Sequence, residues 1–541
     1  MSDMIKIQRA LVSVSDKTGI VDFVTSLVKM DVEIISTGGT AKTLKTAGIN
    51  VTAIDQVTGF PEMMDGRVKT LHPKIHGGLL ALRDNPDHMS AQKENGIQNI
   101  DLVCVNLYPF ENTIAKADCT FHDAIENIDI GGPSMVRSAA KNYGFVTIVT
   151  DPDQYGPIIN EMKNNNGATS QETRSICSTR AFAKTASYDS AISHYLASQA
   201  SEKFPATTTL SLVRGNELRY GENPHQKAAF YRLAKKSDEP SVTSATLLEG
   251  GKQISFNNFM DTNAAFELVK EFIEPAVVIV KHMNPCGVAI DDDIITAYKK
   301  AYLADVTSAF GGIIAINKTV TKALANAILE SYGTWGKAVG AAGFFAEVII
   351  APSFDDDAID LIRNGAKKWA RENVRLLTTG SIDASKVNKG EYDVRCIAGG
   401  MLLQERDLVS WEDDQIKTVT RRHATIQENK DLKLAWIIAK HVKSNTIVLA
   451  KKNTAIGIGA GQMNRVDSGM LAIRQAGEEA SGSVMASDAF FPFPDNVTQA
   501  AKAGITAVVQ PGGSQNDQRS IDECNNHDMA MVFTGKRHFK H

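Results

Sequence analysis

Lys281, His282 and Asn284 lie within four residues of each other, directly after the apolar run Ala276-Val277-Val278-Ile279-Val280. A cation, an imidazole and an amide so close together suit a reaction that moves a proton and stabilises a developing negative charge. The unperturbed imidazole titrates near neutral pH, which makes His282 the natural shuttle. The apolar run reads as a buried strand, and neighbours on a strand point to opposite faces. Lys281 and His282 therefore share a site only if the chain bends at once, and Asn284-Pro285 followed by Gly287 is the expected bend. The plainer alternative is a strand end with solvated polar side chains.

A second collection lies far upstream. The stretch Asp65-Gly66-Arg67-Val68-Lys69-Thr70-Leu71-His72-Pro73-Lys74-Ile75-His76-Gly77-Gly78 crowds cations and hydroxyls among glycines. Tyr108 and Asp129 follow, and Arg137 and Lys141 share a helix face four residues apart. Together these side chains are enough for a phosphorylated substrate plus acid–base chemistry. His72 and His76 have the spacing of a helical metal pair, but Pro73 and the glycines argue against a regular helix, and no metal is expected. The loops Ser15-Asp16-Lys17-Thr18-Gly19 and Ser36-Thr37-Gly38-Gly39-Thr40 each end a strand and open a helix, where free backbone N–H groups favour an anion. Neither loop matches a known dinucleotide or P-loop fingerprint. The alternative for both is a pair of ordinary helix caps.

These groups need elements to carry them. Strands at 10–14 and 32–35 alternate with helices at 20–28 and up to Gly48, which calls for a parallel sheet with helices on its faces. Leu102 to Val105 and Phe145 to Thr150 read as further strands, with a helix opening near Pro133 between them. Gln171 to Gln199 is a long helical pattern, and Ser201 to Thr209 reads as a linker. Beyond it, Leu218 to Gln226 is a polar loop, and a helix runs through Ala264 to Phe272 ahead of the Lys281 strand. A weak internal echo follows: PAVVIVKHMNPCG then Thr307 to Asn317, against Ser444 to Arg465 then Ala486 to Val497. It hints at a duplicated α/β unit, with an Ala-Phe pair in the later stretch of each copy. The segment around Asp355 to Lys389 looks like an exposed insertion.

The 541 residues exceed one ordinary domain. With 43% hydrophobic and 22% charged residues the chain has ample core, and a net charge of −4 gives no global reason to expect nucleic acid or an anionic membrane. The six cysteines are scattered without a C-x-x-C pair, which fits a reducing cytoplasm and argues against zinc or disulfides. No secretory signal and no run of 18 apolar residues is legible, so a cytoplasmic protein is expected.

The motifs SVSDKTG, STGGT, DGRVKTLHP, NLYPF and DIGGPSMVRSAAKN resemble the inosine monophosphate cyclohydrolase part of a bifunctional purine-biosynthesis family. LRYGENPHQ, KHMNPCG, SNTIVLAK, GQMNR, SDAFFPFPD and GKRHFKH resemble its formyltransferase part. The resemblance implies a methylglyoxal-synthase-like parallel-sheet domain at 1–199 and a duplicated cytidine-deaminase-like α/β region at 200–541. A true zinc deaminase needs a second cysteine after Pro285-Cys286 that is missing here, so that likeness concerns fold. A ligand-sensing role for the first domain is the other alternative; its acid–base equipment exceeds what sensing needs.

The implied reactions are formyl transfer from 10-formyltetrahydrofolate to 5-aminoimidazole-4-carboxamide ribonucleotide, then dehydrative ring closure to inosine monophosphate. For transfer the resemblance points to Lys281, His282 and Asn445 as catalytic groups and to Arg219, Tyr220 and Arg537 on the nucleotide. Phe490, Pro492, Asp495 and Asn496 are implied for the folate cosubstrate. For closure it points to Lys69, Tyr108, Asp129 and Lys141, with Arg67, Thr70, Asn106, Gly131 and Gly132 lining the site. Ser15, Lys17, Thr18 and Gly19 with Ser36, Thr37, Gly38, Gly39 and Thr40 are implied to hold the phosphate. A homodimer sharing its transfer sites between subunits is implied as well.

Overall fold

The computed structural model describes residues 3–64, 67–200, 202–235 and 237–541. The chain packs as two compact units, one of Met1–Val213 with Arg232–Lys236, the other of Arg214–Tyr231 with Ser237–His541. The expected boundary at 199/200 coincides with the end of the Gln171–Gln199 helix, whereas the first unit runs on to Val213. Among the described residues no helix is long and apolar enough to cross a membrane.

The first unit is built on five strands: β1 (Arg9–Val14), β2 (Glu33–Ser36), β3 (Thr52–Ala53), β4 (Leu102–Asn106) and β5 (Thr147–Val149). All pair in parallel in the order β3-β2-β1-β4-β5. The chain leaves β1 to one side and returns to the other, so the topological switch lies between β1 and β4. At such a switch two carboxyl-end loops diverge and leave a crevice. The loops there are Ser15–Gly19, which leads into α1 (Ile20–Val28), and the segment after Asn106. Next to them β2 leads through Thr37 into α2 (Gly38–Thr46).

Two expectations need correcting in this unit. The chain after His72 is helical after all, as α3 (Pro73–Leu80): Pro73 takes the first helical position, where its missing N–H costs nothing, and the ring of His72, the extended N-cap, accepts the Lys74 N–H at 3.1 Å. The helix that carries Pro133, α4 (Gly131–Lys141), starts two residues earlier than that proline suggests. The long helix α5 (Gln171–Gln199) closes the unit where the sequence puts it.

The second unit contains one twelve-stranded sheet. Its first-half strands are β6 (Thr246–Leu247), β7 (Ala276–Lys281), β8 (Asn284–Ile290), β9 (Gly312–Ile316), β10 (Ala346–Ala351) and β11 (Arg375–Thr378). Those of the second half are β12 (Lys417–Thr418), β13 (Ile447–Lys451), β14 (Thr454–Gly459), β15 (Val484–Ser487), β16 (Ala507–Gln510) and β17 (Ala530–Phe533). The spatial order is β6-β11-β10-β9-β7-β8 followed by β14-β13-β15-β16-β17-β12. Each half has the same order and the same sense of pairing, and the halves meet where β8 runs antiparallel to β14. The echo heard in the sequence is therefore a repeat of topology.

The repeat holds residue by residue over its central part. The capping boxes that open α6 (Phe256–Val269) and α8 (Ile426–His441) use Ser255 with Asn258 and Thr425 with Glu428, each pair 170 residues from its counterpart. The same offset relates Asp261 to Asp431, Lys270 to Lys440, Lys281 to Lys451 and Gly287 to Gly457. The Ala-Phe pairs are not counterparts: Ala309-Phe310 precede β9, whereas Ala489-Phe490 follow β15. Nor is 355–389 an insertion, since it supplies β11 and a helix with buried Ala358 and Ile362.

Two features show why those positions repeat. A Cβ on Gly287 would lie 2.0 Å from the Ala301 carbonyl oxygen, and one on Gly457 2.1 Å from that of Ala472. The strands thus press directly on α7 (Ile294–Ala304) and α9 (Arg465–Ala476), closer than any side chain permits. Lys270 holds the buried Glu239 at 2.7 Å, and Lys440 holds Glu271 at 2.6 Å. Burial pushes Glu239 up, but hydrogen bonds from Arg406, Lys270 and the Asn388 N–H outweigh it and bring its pKa to about 2. Glu271 likewise reaches about 2, with burial opposed by His441 and Lys440.

Gly287→Ala or Gly457→Ala should destabilise the second unit by about 1–3 kcal/mol through overpacking, read as a lower urea midpoint with unchanged slope. Carboxylates with depressed pKa values stabilise the fold above their unfolded value, and that contribution disappears as pH falls through the folded value. Urea unfolding should accordingly lose stability between about pH 4.5 and 2, and the double variant Glu239→Gln/Glu271→Gln should flatten that profile.

Candidate functional site

In the first unit the switch crevice is bridged by one side chain. Asn106 Oδ1 accepts the N–H groups of Ser15 at 2.6 Å and Asp16 at 3.0 Å, while its Nδ2 donates to the Asp16 carbonyl at 2.9 Å. This fixes the loop that opens α1, whose first turn has no side-chain cap. The α2 start is also uncapped by a side chain. The hydroxyls beside it are already engaged: Ser36 and Thr40 donate to the Val12 and Val14 carbonyls, and Thr37 pairs with Ser13 at 3.0 Å. Any anion there meets backbone N–H groups and the Lys17 ammonium, which lies 3.9 Å from where a Gly39 Cβ would be. Thr18 is exposed, and its N–H donates to Asp16 Oδ1 at 2.9 Å.

Lys69 reaches the same place from a different loop. Its Nζ sits 3.5 Å from the Cβ position of Gly38 and 3.7 Å from Glu62, at the edge of a cavity of about 250 Å³. Asp129 faces it across the start of α4. The Gly132 N–H donates to Asp129 Oδ1 at 2.8 Å, and a Cβ on Gly132 would fall 2.3 Å from Oδ2, so a side chain there would displace the carboxylate. Burial raises the Asp129 pKa; N–H groups from Gly132 and Tyr108 and the Lys69 charge act against it. A carboxyl tuned upward beside a lysine is equipped to pass a proton. Thr70 lies against Gly131, its Oγ1 2.7 Å from the Cβ position.

Other expected members stand apart. Tyr108 is 47% exposed, with its backbone rather than its ring on Asp129. Lys141 ends α4 ten residues beyond Gly131, about 15 Å along the helix axis. Arg67 pairs with Glu126, and Asp65 and Gly66 lie outside the described residues. Sequence reasoning missed Tyr188 on α5, whose hydroxyl accepts the Asp129 N–H at 2.8 Å; a lone tyrosine in a long helix gives no signal for this.

In the second unit the chain reverses between β7 and β8 through His282 and Met283, with φ of 51° and 63°. The bend thus comes before Asn284-Pro285, which already belong to β8. Pro285 pairs with Val280 at a register shift, an irregularity that tolerates its missing N–H. The turn puts Lys281, His282 and Asn284 on one cavity of about 460 Å³, whose wall includes Cys286, Asp305, Ser308, Arg474 and Gln475. Both halves of the repeat contribute to it, and Gln475 Nε2 donates to Asp305 at 3.2 Å. Lys281 Nζ donates to the Phe310 and Gly311 carbonyls at 2.8 and 3.2 Å. Its counterpart Lys451 does the same with the Glu479 and Ser481 carbonyls, but also pairs with the Glu479 carboxylate at 2.9 Å. Among the described residues no carboxylate lies within ion-pair distance of Lys281.

Asn445 belongs to a neighbouring cluster organised by Arg465. The Arg465 guanidinium donates to Asn445 Oδ1 at 2.9 Å, to buried Asp488 at 2.8 Å and to the Phe490 carbonyl at 3.4 Å. Ser444 donates to the other Asp488 oxygen. The link to the Lys281 turn is Asn284, whose Oδ1 accepts the Lys443 N–H at 3.4 Å. Phe490 is part-exposed and Pro492 half-buried; Asp495 is exposed at the start of α10 (Asp495–Lys502), while Asn496 is buried with its Oδ1 unpartnered. Arg219 stacks over Tyr220 at 5.7 Å and Arg537 over Phe539 at 4.3 Å, and none of these four residues lines the Lys281 cavity. Arg465 and Asp488 were missed, although an arginine inside GQMNR and an aspartate ending an apolar strand are visible signals.

Known proteins match this sequence along its length. The family model described as AICARFT/IMPCHase bienzyme matches residues 139–475, and that of an MGS-like domain matches 19–134. The chain belongs to the AICARFT/IMPCHase bienzyme family. It is 53% identical over 534 residues to the bifunctional purine biosynthesis protein PurH of Bacillus mycoides (strain KBAB4), covering 99% of this chain and 100% of that protein. The figures are the same for PurH of Bacillus cereus (strain AH820). A solved chain titled "Crystal structure of ForH" is 33% identical with a TM-score of 0.32, covering 35% of this chain and 97% of that one. Membership makes the chain a bifunctional enzyme with formyltransferase and cyclohydrolase activities.

Within the family's cyclohydrolase chemistry, Asn106→Ala should raise the nucleotide KM at least tenfold, because the Ser15–Gly19 loop loses the acceptor that fixes it. Steady-state cyclisation assays should show a much smaller change in kcat.

Proposed function

We propose that the chain runs its two reactions at separate centres, one in each unit. It performs the last two steps of inosine monophosphate synthesis. The first is formyl transfer from 10-formyltetrahydrofolate to 5-aminoimidazole-4-carboxamide ribonucleotide, and the second is dehydrative closure of the formylated product. The observation that carries the reading is the Lys281–His282 turn opening on its own cavity, in a unit that does not hold Lys69 and Asp129.

Formyl transfer joins a weakly nucleophilic ring amine to the formyl carbon, releasing the folate nitrogen. Placement and proton handling dominate such a step. His282 takes the amine proton, and Lys281, whose ammonium is held by backbone oxygens, stabilises the oxyanion. Asn445 acts through Arg465, which ties it to the loop of Phe490. Phe490 and Pro492 offer an apolar wall to the pterin, with Asp495 and the unpaired Asn496 Oδ1 as acceptors for its amidine-like donors. Arg219, Tyr220 and Arg537 bind the nucleotide. Because none of them lines the Lys281 cavity, they support a homodimer in which two subunits complete each transfer site. The setting is cytoplasmic.

In ring closure the carboxamide nitrogen attacks the new formyl carbon and water departs. Lys69 steadies the oxyanion and Asp129 passes the proton, with Tyr108 polarising the substrate. The loops at Ser15–Gly19 and Ser36–Thr40 hold the phosphate through backbone N–H groups.

Lys281→Ala and His282→Ala should each cut formyl transfer by about 10²–10⁴-fold while cyclisation of the formylated nucleotide stays within twofold, measured in separate spectroscopic assays. Loss of both activities in a folded variant would contradict two separate centres.

A further inference from the structure

The turn that presents Lys281 and His282 is an unfavourable piece of backbone. His282 and Met283 both sit in the left-handed region, which side chains other than glycine, asparagine and aspartate rarely enter. What holds it comes from helix α6. Asp261 Oδ1 accepts the Met283 N–H at 2.8 Å, and the same carboxylate receives the His282 N–H. The arrangement recurs in the second half of the sheet. There Lys452 and Asn453 have φ of 53° and 61°, and Asp431 accepts their N–H groups at 3.0 and 2.6 Å. Two carboxylates 170 residues apart thus perform the same backbone task.

What each turn carries differs. The second turn has Lys452 where the first has His282, and its Lys451 is neutralised by Glu479. It also lies at the far end of β8, where the Ile290 N–H donates to the Asn453 carbonyl at 3.0 Å. The seven residues of β8 put roughly 20 Å between the turns. The duplication supplies a matched pair: one aspartate beneath the reactive turn, one beneath a turn without its histidine.

The geometry points to Asp261 as a positioning residue for formyl transfer, whose carboxylate clamps the His282 and Met283 N–H groups so that the Lys281 ammonium and His282 ring face the same cavity. The inference rests on the proposed transfer role of Lys281 and His282. Asp261 does not line the Lys281 cavity; it acts through the backbone it holds. Removing it frees both N–H groups, and the turn relaxes toward ordinary φ values that carry the imidazole away.

The test compares Asp261→Ala, Asp261→Asn and Asp431→Ala in the full-length enzyme, with formyl-transfer kinetics, cyclisation kinetics and thermal unfolding read for each. Asp261→Ala should lower transfer kcat by about 10–100-fold with the nucleotide KM changed less than threefold. Asp261→Asn, which keeps an acceptor oxygen, should recover part of that loss, and cyclisation should be unchanged in both. Asp431→Ala should lower the unfolding temperature comparably yet leave transfer within threefold of the parent. Wild-type kcat in Asp261→Ala would overturn the inference, as would an equal fall in Asp431→Ala, since the effect would then be one of general stability. If Asp261→Ala fails to fold, Asp261→Asn decides: unchanged kcat overturns the assignment and a fall with unchanged KM supports it. Lys281→Ala separates the two levels, because retained transfer in that variant removes the role of Lys281 itself, whereas lost transfer beside a fully active Asp261→Ala removes the clamp alone.

Discussion

Two backbone N–H groups per hairpin, both in a left-handed turn and both satisfied by one carboxylate, are the constraint on which the second unit depends. Each non-glycine residue in that conformation costs roughly 1–2 kcal/mol, and an unpaired buried N–H would add to it. The strands on either side are mostly buried, so the hairpin cannot slide to relieve the turn without moving a column of Val, Ile and Leu off its packing face. Asp261 and Asp431 make the tight reversal tolerable, and Gly287 and Gly457 then let the outgoing strands press on the next helices. Repeating both devices at a fixed offset is what allows two halves to share a single sheet.

The halves are alike in scaffold and unlike in chemistry. Lysines at 281 and 451 both brace the approach to the following strand by donating to its carbonyls, so a lysine here has a structural task whatever else it does. The difference lies in the surrounding charge: Glu479 neutralises one ammonium, whereas among the described residues backbone carbonyls meet the other. A cation partnered this way keeps its charge for a visiting anion. The first unit shows the same economy of parts. Hydroxyls that read as anion ligands are spent joining β2 to β1, which leaves the uncapped helix starts and two lysines to face the crevice.

Much of this was legible in the residues. The β–α alternation of the first unit, the Gln171–Gln199 helix and the β7 strand follow from apolar periodicity and from Gly and Pro punctuation, which act locally. Lys17 and Lys69 meet beside Gly38 and Gly39 because the loops at the carboxyl ends of parallel strands lie together, whereas Arg219, Tyr220 and Arg537 lie off the Lys281 cavity. Less legible were features set by contacts between distant segments. The helix at 73–80 was masked by two glycines that serve packing rather than breaking. The stretch 355–389 looked like an insertion because its buried face is short, yet it supplies a strand of the sheet.

From the sequence came the residue types available for proton transfer and anion binding, the two-part organisation and the family. Those rest on local chemistry, which is written in order along the chain. Tertiary structure decided which residues meet. It brought Asp261 under a turn 22 residues away and Asp431 under its twin. It made Arg465 the centre of the Asn445 cluster, and it separated Lys141 from Gly131 by the length of a helix. Hydrogen bonds and charges depend on distance in space, and only the folded sheet sets those distances.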